Sequence, residues 1–220
     1  MGVERNFPRP DGQLLDAYRG QATATVFEVN GKKGAMAFAI KPLYPGMKVC
    51  GPALPVFAPP GDNLMLHYAI TVARPGDVLV VDAMGFTEMA AWGDIMTTAA
   101  QARGIAGLVI DGCVRDAEAI RGMAFPVFAR GANMRGPAKG LPGKVAEPIF
   151  CGGVPVAPGD LVLGDDDGVV VVARAEAKDV LARARKREAD EDEKRRQLKA
   201  GKTTVELLGV GDLLKSMGFD

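Results

Sequence analysis

Three charged residues stand out because their types and spacing could do chemistry. Asp94 is followed, after twenty intervening residues, by the pair Arg115 and Asp116. Carboxylates are ligands that a hard divalent cation accepts, and a guanidinium binds the oxygen atoms of an anionic substrate. If the fold brings the three side chains to one cleft, the sequence predicts a metal-dependent lyase site there.

Two strands and a helix must position these residues. Residues 78–82 form a continuous apolar run typical of a buried strand, and residues 106–110 form a second one. Between them Asp94 is a good N-cap for a helix that Gly104 would end. If the strands are parallel, the start of the helix and the end of the second strand meet at one sheet edge, where α/β proteins bind ligands.

A simpler interpretation gives the same residues no chemistry. Asp94 and Asp116 could both be ordinary helix N-caps, each contributing about 1 kcal/mol, with the second helix running from Asp116 to about Arg121. Arg115 could then be a surface residue or pair with one of them. The two interpretations are compatible, because the N-terminus of a helix attracts charged groups in any case.

The remaining pattern indicates an α/β fold. Helices are predicted at 12–18, capped by Asp11, and at 64–73, capped by Asp62 or Asn63 and carrying His67, the single histidine. Further strands are predicted at 22–29, 47–52, 125–129, 161–163 and 169–172. The last two are joined by an Asp-Gly turn, since the acidic run 165–167 does not fit a calcium-loop template.

The C-terminal part of the chain differs in composition from the rest. Residues 175–200 have helical propensity, but from 185 to 197 the only apolar residue is Ala189. A helix that is polar all round gains nothing by burial on its own body, so it projects into solvent or reaches another subunit. The sequence therefore predicts a core at 1–174 and a helical arm at 175–220. The alternative is a tail folded back on its own chain.

Composition excludes several classes of function. The 220 residues are 48% hydrophobic and carry 27 basic and 27 acidic side chains, so no basic field predicts binding to nucleic acid or an anionic membrane. No apolar run approaches a membrane span, and the N-terminus does not read as a signal peptide. Cys50, Cys113 and Cys151 form no CxxC motif and indicate free thiols in a cytoplasmic protein.

The sequence resembles the RraA-like superfamily over nearly its whole length. Seven short motifs carry the resemblance, and they read PGDNLMLH (60–67), PGDVLVVD (75–82), GD (93–94), GIAG (104–107), DGCVRD (111–116), PGD (158–160) and DDDGV (165–169). Within the superfamily it is most similar to the class II pyruvate aldolases that cleave 4-hydroxy-4-methyl-2-oxoglutarate and 4-carboxy-4-hydroxy-2-oxoadipate. The spacing of Asp94 from the Arg-Asp pair matches the metal signature of these enzymes.

The resemblance implies a fold, an assembly and an activity. The protomer would be an αββα sandwich with a swivelling β/β/α-type core, assembled as a homotrimer or homohexamer with active sites between subunits. The activity would be retro-aldol cleavage to pyruvate and a second keto acid, with oxaloacetate decarboxylation as a side reaction. The cofactor would be Mg²⁺ or Mn²⁺, with no organic cofactor.

The resemblance also implies roles for individual residues. Asp116 would bind the cation directly, Asp94 would hold it through water, and Arg115 would contact the keto oxygen of the substrate. The groups expected to bind the pyruvyl carboxylate are Asn63 and the backbone N–H groups of Gly93, Asp94, Ile95 and Met96. A glutamate of the neighbouring subunit's arm, Glu191 or the nearby Glu193, would complete the site. Judged by its residue type and not by the resemblance, His67 could assist in proton transfer or be purely structural.

Other functions stay open on the sequence alone. Retro-aldol cleavage needs an imine or a cation to stabilise the enolate, and no lysine lies between Asp94 and Asp116 to form an imine at that place. The superfamily also includes ring-shaped regulators of ribonuclease E that have no aldolase activity. A related lyase could act on another hydroxy-keto acid, such as a sugar-acid derivative, whose tail would be recognised by loops such as residues 130–143. A methyltransferase label finds no support, because no glycine-rich SAM loop is present.

Overall fold

The computed structural model describes residues 6–219, which form eight helices and eleven strands. The helices are α1 (Gly12–Tyr18), α2 (Thr23–Val29), α3 (Leu64–Val72), α4 (Asp94–Ala102), α5 (Ala117–Gly122), α6 (Ala177–Lys199), α7 (Thr204–Leu208) and α8 (Gly211–Ser216). The strands are β1 (Lys41–Pro42), β2 (Val49–Phe57), β3 (Val78–Trp92), β4 (Gly107–Val114), β5 (Val127–Ala129), β6 (Gly131–Ala132), β7 (Lys144–Val145), β8 (Ile149–Cys151), β9 (Val154–Val156), β10 (Leu161–Asp165) and β11 (Gly168–Val172).

One mixed sheet of nine strands organises the molecule. Its order is β1-β5-β4-β3-β2-β10-β11, with β6 paired to β4 and β7 paired to β2, while β8 and β9 form a separate hairpin. Strands β2 to β5 run parallel, whereas β10 and β11 are antiparallel. The two ends of the sheet approach each other, because Lys41 of β1 donates a hydrogen bond to the carbonyl of Asp167 beside β11. The sheet is therefore nearly closed, like a barrel.

Apolar clusters lie on both sides of this sheet. Leu66 of α3 and Leu79 of β3 belong to a cluster that fills the space between helices α3 to α5 and the parallel strands. Val80 and Phe128 belong to a second cluster inside the curved sheet. A third cluster joins α1, α2 and α6 to β10 and β11. Helices thus pack on a mixed, nearly closed sheet, which confirms the predicted α/β fold.

The C-terminal helix α6 has two parts. Ala177, Val180, Leu181 and Ala184 are buried in the third cluster, and the hydroxyl of Tyr18 donates to the carbonyl of Ala177 at 2.7 Å. From residue 185 onward the helix is mostly exposed, and α7 and α8 expose large apolar side chains. These are Leu208, Leu213, Met217 and Phe219. The division into a core ending at 174 and an arm stays a prediction, because the first turns of α6 pack on the core.

One predicted strand is wrong. Residues 22–29 were expected to alternate as a strand but contain helix α2. The backbone N–H and the hydroxyl of Thr23 both donate to the carboxylate of Asp165, at 2.9 and 2.6 Å, and Val26, three residues later, is buried. This side-chain contact from a distant hairpin fixes the first turn of a helix that a local pattern does not reveal.

Several strand bounds differ from those predicted. β2 runs to Phe57 instead of ending near residue 52, and β5 begins at Val127 instead of Phe125. β3 and β4 both extend to the proposed site, and β4 continues beyond the predicted end at residue 110 as far as Val114. The hairpin at 161–172 is confirmed, with Asp165 paired to Gly168, and Asp11 caps α1 by accepting from the N–H of Leu14 at 2.8 Å.

No helix within residues 6–219 combines the length and apolarity needed to span a membrane.

Candidate active site

The site is built on the β3-α4-β4 unit. β3 and β4 are parallel, in register from Val78 opposite Gly107 and, after several bulges, with Trp92 opposite Val114. Helix α4 ends at Ala102 and is followed by a glycine with positive φ, Gly104 at 70°. The N–H of Ile105 returns to the carbonyl of Ala100 at 3.1 Å. The expected parallel unit is therefore present, and the ends of both strands lie side by side.

The three charged residues meet at these strand ends. Oδ2 of Asp116 accepts a hydrogen bond from the backbone N–H of Asp94 at 3.3 Å and lies 3.2 Å from Nε of Arg115. The N–H of Arg115 donates to the carbonyl of Trp92 at 2.9 Å, which ties the start of the Arg-Asp pair to the end of β3. The sequence spacing thus predicted the convergence correctly, whatever role the residues play.

Neither aspartate is an ordinary helix cap. The N-cap of α4 is Gly93 and not Asp94. Among the described residues, Oδ1 of Asp94 accepts only from the adjacent N–H of Ile95, at 2.7 Å. Asp116 occupies the N-cap position of α5 in a left-handed conformation with φ of 56°, yet its side chain does not cap that helix. Such a backbone costs about 1–3 kcal/mol for a residue other than glycine. The carboxylate of Asp116 is directed toward α4 instead.

Position 93 must be glycine because the neighbouring side chains leave no room for a Cβ atom. A Cβ on this residue would lie 2.5 Å from Oδ2 of Asp116 and 3.1 Å from both Cγ and Nε of Arg115. Its φ of −156° is an extended conformation that any residue adopts, so backbone freedom is not the reason for glycine. The sequence indicated only that the Gly93 amide could bind a substrate, because the steric requirement comes from residues more than twenty positions later.

A small hydrogen-bond chain fixes the junction between β3 and α4. The indole N–H of Trp92 donates to the hydroxyl of Thr97 at 2.7 Å, and that hydroxyl donates to the carbonyl of Gly93 at 3.0 Å. Trp92 and Thr97 are both buried. The first turn of α4 is therefore held rigidly against the end of the strand that precedes it.

A cavity of about 230 Å³ adjoins the charged residues. Six of its lining residues are those predicted to bind substrate: Asn63, Gly93, Asp94, Ile95, Met96 and Arg115. The remaining lining residues are His67, Ala90, Ala91, Trp92, Gly136, Pro137 and Lys139. Asp116 lines an adjoining, more open cleft together with Arg115, Ala132, Asn133 and Met134. Arg115 belongs to both spaces and marks their boundary.

Asn63 contributes an unpartnered acceptor to the cavity wall. The residue is 5% exposed, and its Nδ2 donates to the carbonyl of Ala91 at 3.0 Å and contacts Sδ of Met96 at 3.5 Å. Its Oδ1 is buried and has no hydrogen-bond partner within residues 6–219. A free acceptor suits a hydroxyl or a water better than a carboxylate. The predicted contact of Asn63 with the pyruvyl carboxylate would therefore need the side-chain amide to turn.

His67 lies one helical turn beyond Asn63 in the same wall. Its backbone N–H donates to the carbonyl of Asn63 at 3.3 Å, and its Nε2 is buried without a partner in the described part of the chain. Burial first, and the positive charge of Lys139 second, lower the pKa of the imidazole below its usual value. Both effects favour the neutral form of the imidazole.

Asp62 holds the loop that closes the cavity. Its Oδ2 accepts from the N–H groups of Gly140 and Leu141 at 2.6 and 3.1 Å, and its Oδ1 accepts from Leu64 at 2.8 Å. Burial alone would raise the pKa of this carboxyl, but the three N–H donors and Lys139 outweigh burial and lower it. The sequence indicated Asp62 only as a possible cap for α3, since nothing local shows that the distant loop returns to it.

Comparison with known proteins shows which family this chain belongs to. Residues 12–171 match the family model described as RraA-like: Aldolase/RraA. This chain belongs to the Aldolase/RraA family. It is 43% identical over 159 residues, 72% of this chain and 76% of the relative, to a Halalkalibacterium halodurans protein named "Putative 4-hydroxy-4-methyl-2-oxoglutarate aldolase". The resemblance inferred from the motifs is thereby confirmed.

Two crystal structures illustrate the likeness in fold. An uncharacterized protein of Pseudomonas syringae pv. tomato superposes with a TM-score of 0.79 at 30% identity, covering 90% of this chain and 97% of its own. Streptomyces coelicolor RraAS2, described as an unusual member of the RNase ES inhibitor RraA protein family, superposes with a TM-score of 0.77 at 30% identity, covering 86% and 100%. The fold is therefore shared with a protein described as a member of an RNase inhibitor family.

The two aspartates of this Aldolase/RraA protein suit a cation that keeps much of its water. Within residues 6–219 no three His, Cys, Asp or Glu side chains gather closely enough to form a dedicated metal cage. Mg²⁺ needs no such cage, because it is usually bound through one or two carboxylates with several waters retained. Oδ2 of Asp116 is positioned by Arg115 and by the N–H of Asp94, while Oδ1 accepts no hydrogen bond from the described residues. The residues present therefore fit a hydrated divalent ion.

The predicted arm glutamates lie outside the cavity of their own protomer. Glu191 pairs with Arg187 at 2.8 Å and with Arg195 at 3.2 Å along α6. Glu193 pairs with Arg196 at 2.6 Å. Neither glutamate is among the residues that line the cavity described above. Participation of Glu191 or Glu193 in the site of a neighbouring subunit stays a prediction.

Proposed function

We propose that this protein is a class II, divalent-metal-dependent pyruvate aldolase. Its substrate would be 4-hydroxy-4-methyl-2-oxoglutarate or 4-carboxy-4-hydroxy-2-oxoadipate, and its products pyruvate and a second keto acid. Oxaloacetate decarboxylation would accompany this reaction because it passes through the same enolate. The observation that carries the proposal is the convergence of Asp94, Arg115 and Asp116 beside a cavity of about 230 Å³.

The head of the substrate would bind at the start of α4. The N-terminus of a helix offers free N–H groups and a partial positive charge to a carboxylate. The amides of Asp94 and Ile95 already donate to carboxylates, at 3.3 and 2.7 Å. The pyruvyl carboxylate would therefore meet the amides of Gly93 and Met96, which also line the cavity.

Arg115 would stabilise the charge that develops in the reaction. Base removal of the proton from the C4 hydroxyl lets the C3–C4 bond break, so that C4 becomes a carbonyl and the electron pair forms the enolate of pyruvate. The guanidinium of Arg115, positioned by Asp116, presents a rigid fork to the enolate oxygen. A bound Mg²⁺ or Mn²⁺ would supply Lewis-acid stabilisation to the same 2-oxo group.

Proton transfer is assigned to water held by carboxylates. Asp94 and the Glu191 of a neighbouring subunit would hold a water that accepts the C4 hydroxyl proton. The same water would return a proton to C3 of the enolate and so release pyruvate. This role requires a homo-oligomer, either a trimer or a hexamer. The exposed apolar side chains Ile95 (72%) and Met134 (91%) at the rim of the site support coverage by another subunit.

Metal removal and the change Asp116→Asn test the proposal together. We expect wild-type protein with Mg²⁺ to release pyruvate from oxaloacetate and from 4-hydroxy-4-methyl-2-oxoglutarate, with EDTA abolishing and Mg²⁺ restoring the activity. Asp116→Asn should lower the rate by about 100-fold or more, since a Lewis acid contributes several kcal/mol. Pyruvate is measured with lactate dehydrogenase, after subtraction of metal-catalysed decarboxylation without protein.

The matched control is Asp16→Asn. Asp16 forms an exposed ion pair with Arg19 far from the cavity lining, so its replacement should leave the rate unchanged. If the chelated protein or Asp116→Asn keeps the wild-type rate, the metal mechanism is wrong.

A regulator of ribonuclease activity is the second candidate. Structural likeness to RraAS2, at a TM-score of 0.77, is the observation that favours it. Specific co-precipitation of a ribonuclease, together with no metal-dependent turnover of either substrate, would rank this function above the aldolase.

A further inference from the structure

A buried ion pair joins β4 to the residue that follows β5. Nε of Arg130 donates to Oδ1 of Asp111, whose side chain is 10% exposed. The second oxygen of this carboxylate accepts from the backbone N–H of Gly152 at 3.2 Å, so both oxygens are bound. Neither member of the pair lines the cavity or the adjoining cleft. The cleavage chemistry therefore gives the pair no direct role, and its place in the fold needs another reason.

The guanidinium of Arg130 also supports the irregular part of β3. The register of β3 against β4 shifts three times between Asp82 and Trp92, so this part of β3 bulges. Within the bulge Gly85 has a φ of 67°, and a Cβ there would lie 3.2 Å from Nη2 and 3.3 Å from both Cζ and Nε of Arg130. The planar group thus occupies the space that a side chain at residue 85 would need, close to the backbone of the bulge.

The segment that begins at Arg130 is bound to β4 on one side and to β3 on the other. The N–H groups of Arg130 and Asn133 both donate to carbonyls of β4, at 2.9 Å each. The carbonyl of Arg135 accepts from the N–H of Ala90, in the bulge of β3, at 2.9 Å. Residues 130–135 therefore run from the buried pair across the ends of both strands that carry the site.

This segment ends against the guanidinium of Arg115. A Cβ on the next residue, Gly136, would lie 3.2 Å from Nη1 of Arg115, and both residues line the cavity. Nε of Arg115 lies 3.2 Å from the carboxylate of Asp116, and the side chain is 44% exposed. The fork thus has a neighbour at two of its nitrogen atoms, and one of these neighbours is the end of the segment that Arg130 begins.

Resting on the proposed aldolase function, we infer that Arg130 is a positioning residue. Its pair with Asp111 holds residues 131–136 in place, and that segment orients the guanidinium of Arg115. Loss of Arg130 would free the segment, and Arg115 would then keep only its contact with Asp116. Because Arg115 is assigned to charge that develops in the transition state, its displacement should lower kcat and leave KM almost unchanged.

Arg130→Met is compared with the matched change Arg9→Met. Arg9 forms a similar buried pair with Asp77, at 2.7 and 2.8 Å, but Asp77 precedes β3 at the end of the strand away from the site. Each change leaves a buried aspartate unpaired, so both should lower the thermal stability to a similar extent. We expect kcat for pyruvate release to fall about 10- to 100-fold in Arg130→Met with KM within about threefold, while Arg9→Met keeps both constants within about threefold.

Arg130→Lys keeps a positive charge beside Asp111 and replaces Arg130→Met if that variant does not fold. Lysine lacks the planar group that lies against Gly85, so its kcat should still fall about tenfold. Either change should lower kcat by less than a further factor of about three when it is added to Arg115→Lys, because the residue through which Arg130 acts is then already lost. A purely structural role would give the same loss in both backgrounds.

Amide hydrogen exchange tests the positioning without reference to activity. The N–H groups of Asn133, bound to β4, and of Ala90, bound to Arg135, should exchange about tenfold faster or more in the Arg130 variant than in Arg9→Met. Equal exchange at these amides, or a kcat no lower than that of Arg9→Met, would overturn the inference. Wild-type protein without aldolase activity would overturn the proposed function, and the exchange measurement would then decide alone whether Arg130 holds the segment.

Discussion

Arg115→Lys is expected to lower kcat/KM for pyruvate formation by about 100- to 1000-fold, the usual cost of removing one donor to a developing oxyanion. Lysine keeps the charge but replaces a rigid, planar fork by a single flexible ammonium group. The fork is positioned in this protein by the carboxylate of Asp116 at 3.2 Å and by the close backbone of Gly93 and Gly136. A lysine cannot use these supports in the same way. The measurement is steady-state kinetics with a coupled pyruvate assay.

The loss of activity in Arg115→Lys should come from slower catalysis and not from weaker metal binding or impaired folding. Because Asp116 is retained, the Mg²⁺ concentration that gives half-maximal activity should change only a few-fold. Arg103→Lys serves as the control, since Arg103 is exposed and donates to the carbonyl of Thr71 at 2.8 Å, away from the cavity lining. Wild-type kcat/KM in Arg115→Lys would show that a single positive charge suffices and that the fork geometry has no catalytic role.

Gly93→Ala is expected to lower kcat/KM by about 100-fold, although it replaces no charged or polar group. The added Cβ would lie 2.5 Å from Oδ2 of Asp116 and 3.1 Å from Arg115, so both side chains must move. A displacement of about 1 Å in a positioned catalytic group costs this much in rate. The loss of stability should be modest, about 1–3 kcal/mol, because the side chains that must move are partly exposed. Thermal unfolding and kinetics on the same preparation separate the two effects.

Gly122→Ala is the matched control for this change. Gly122 ends α5, the helix that begins after Asp116, and a Cβ there meets no atom within 4 Å. Its activity should equal that of wild type. If Gly93→Ala proves as active as Gly122→Ala, then the positions of the Asp116 and Arg115 side chains do not limit the reaction, and the proposed arrangement of the site is contradicted.

Local sequence signals were sufficient to predict the β3-α4-β4 unit, which carries the site. The apolar runs at 78–82 and 106–110 predicted two buried strands, and the structure pairs them in parallel. Gly104 predicted the end of α4 because a left-handed residue is needed there, and its φ is 70°. From these elements alone the meeting of Asp94 with Arg115 and Asp116 could be predicted, since the sheet edge of a parallel unit is fixed by its topology.

Features that depend on distant side chains could not be predicted in this way. Asp94 was expected to cap α4, but Gly93 is the N-cap, and the Asp94 N–H donates instead to the carboxylate of Asp116. The helix at Thr23–Val29 depends on hydrogen bonds from Thr23 to Asp165, more than a hundred residues later. In both cases the deciding partner lies far along the chain, and no local pattern reveals it.

The loop of residues 130–143 shows an intermediate case. From the sequence, this loop was expected to be one that recognises the tail of a substrate. The structure places Gly136, Pro137 and Lys139 of this loop in the cavity lining. The anchoring of the loop by Asp62 could not be predicted from composition, because it depends on the fold.

Diffraction from crystals soaked with Mn²⁺ and pyruvate, recorded for the anomalous signal of manganese, tests the central claim most directly. The account predicts one ion at about 2 Å from a carboxylate oxygen of Asp116, with Asp94 and Arg115 around the same ion and ligand. An anomalous peak elsewhere, or none at Asp116 in crystals of protein that releases pyruvate when Mn²⁺ is added, would contradict it.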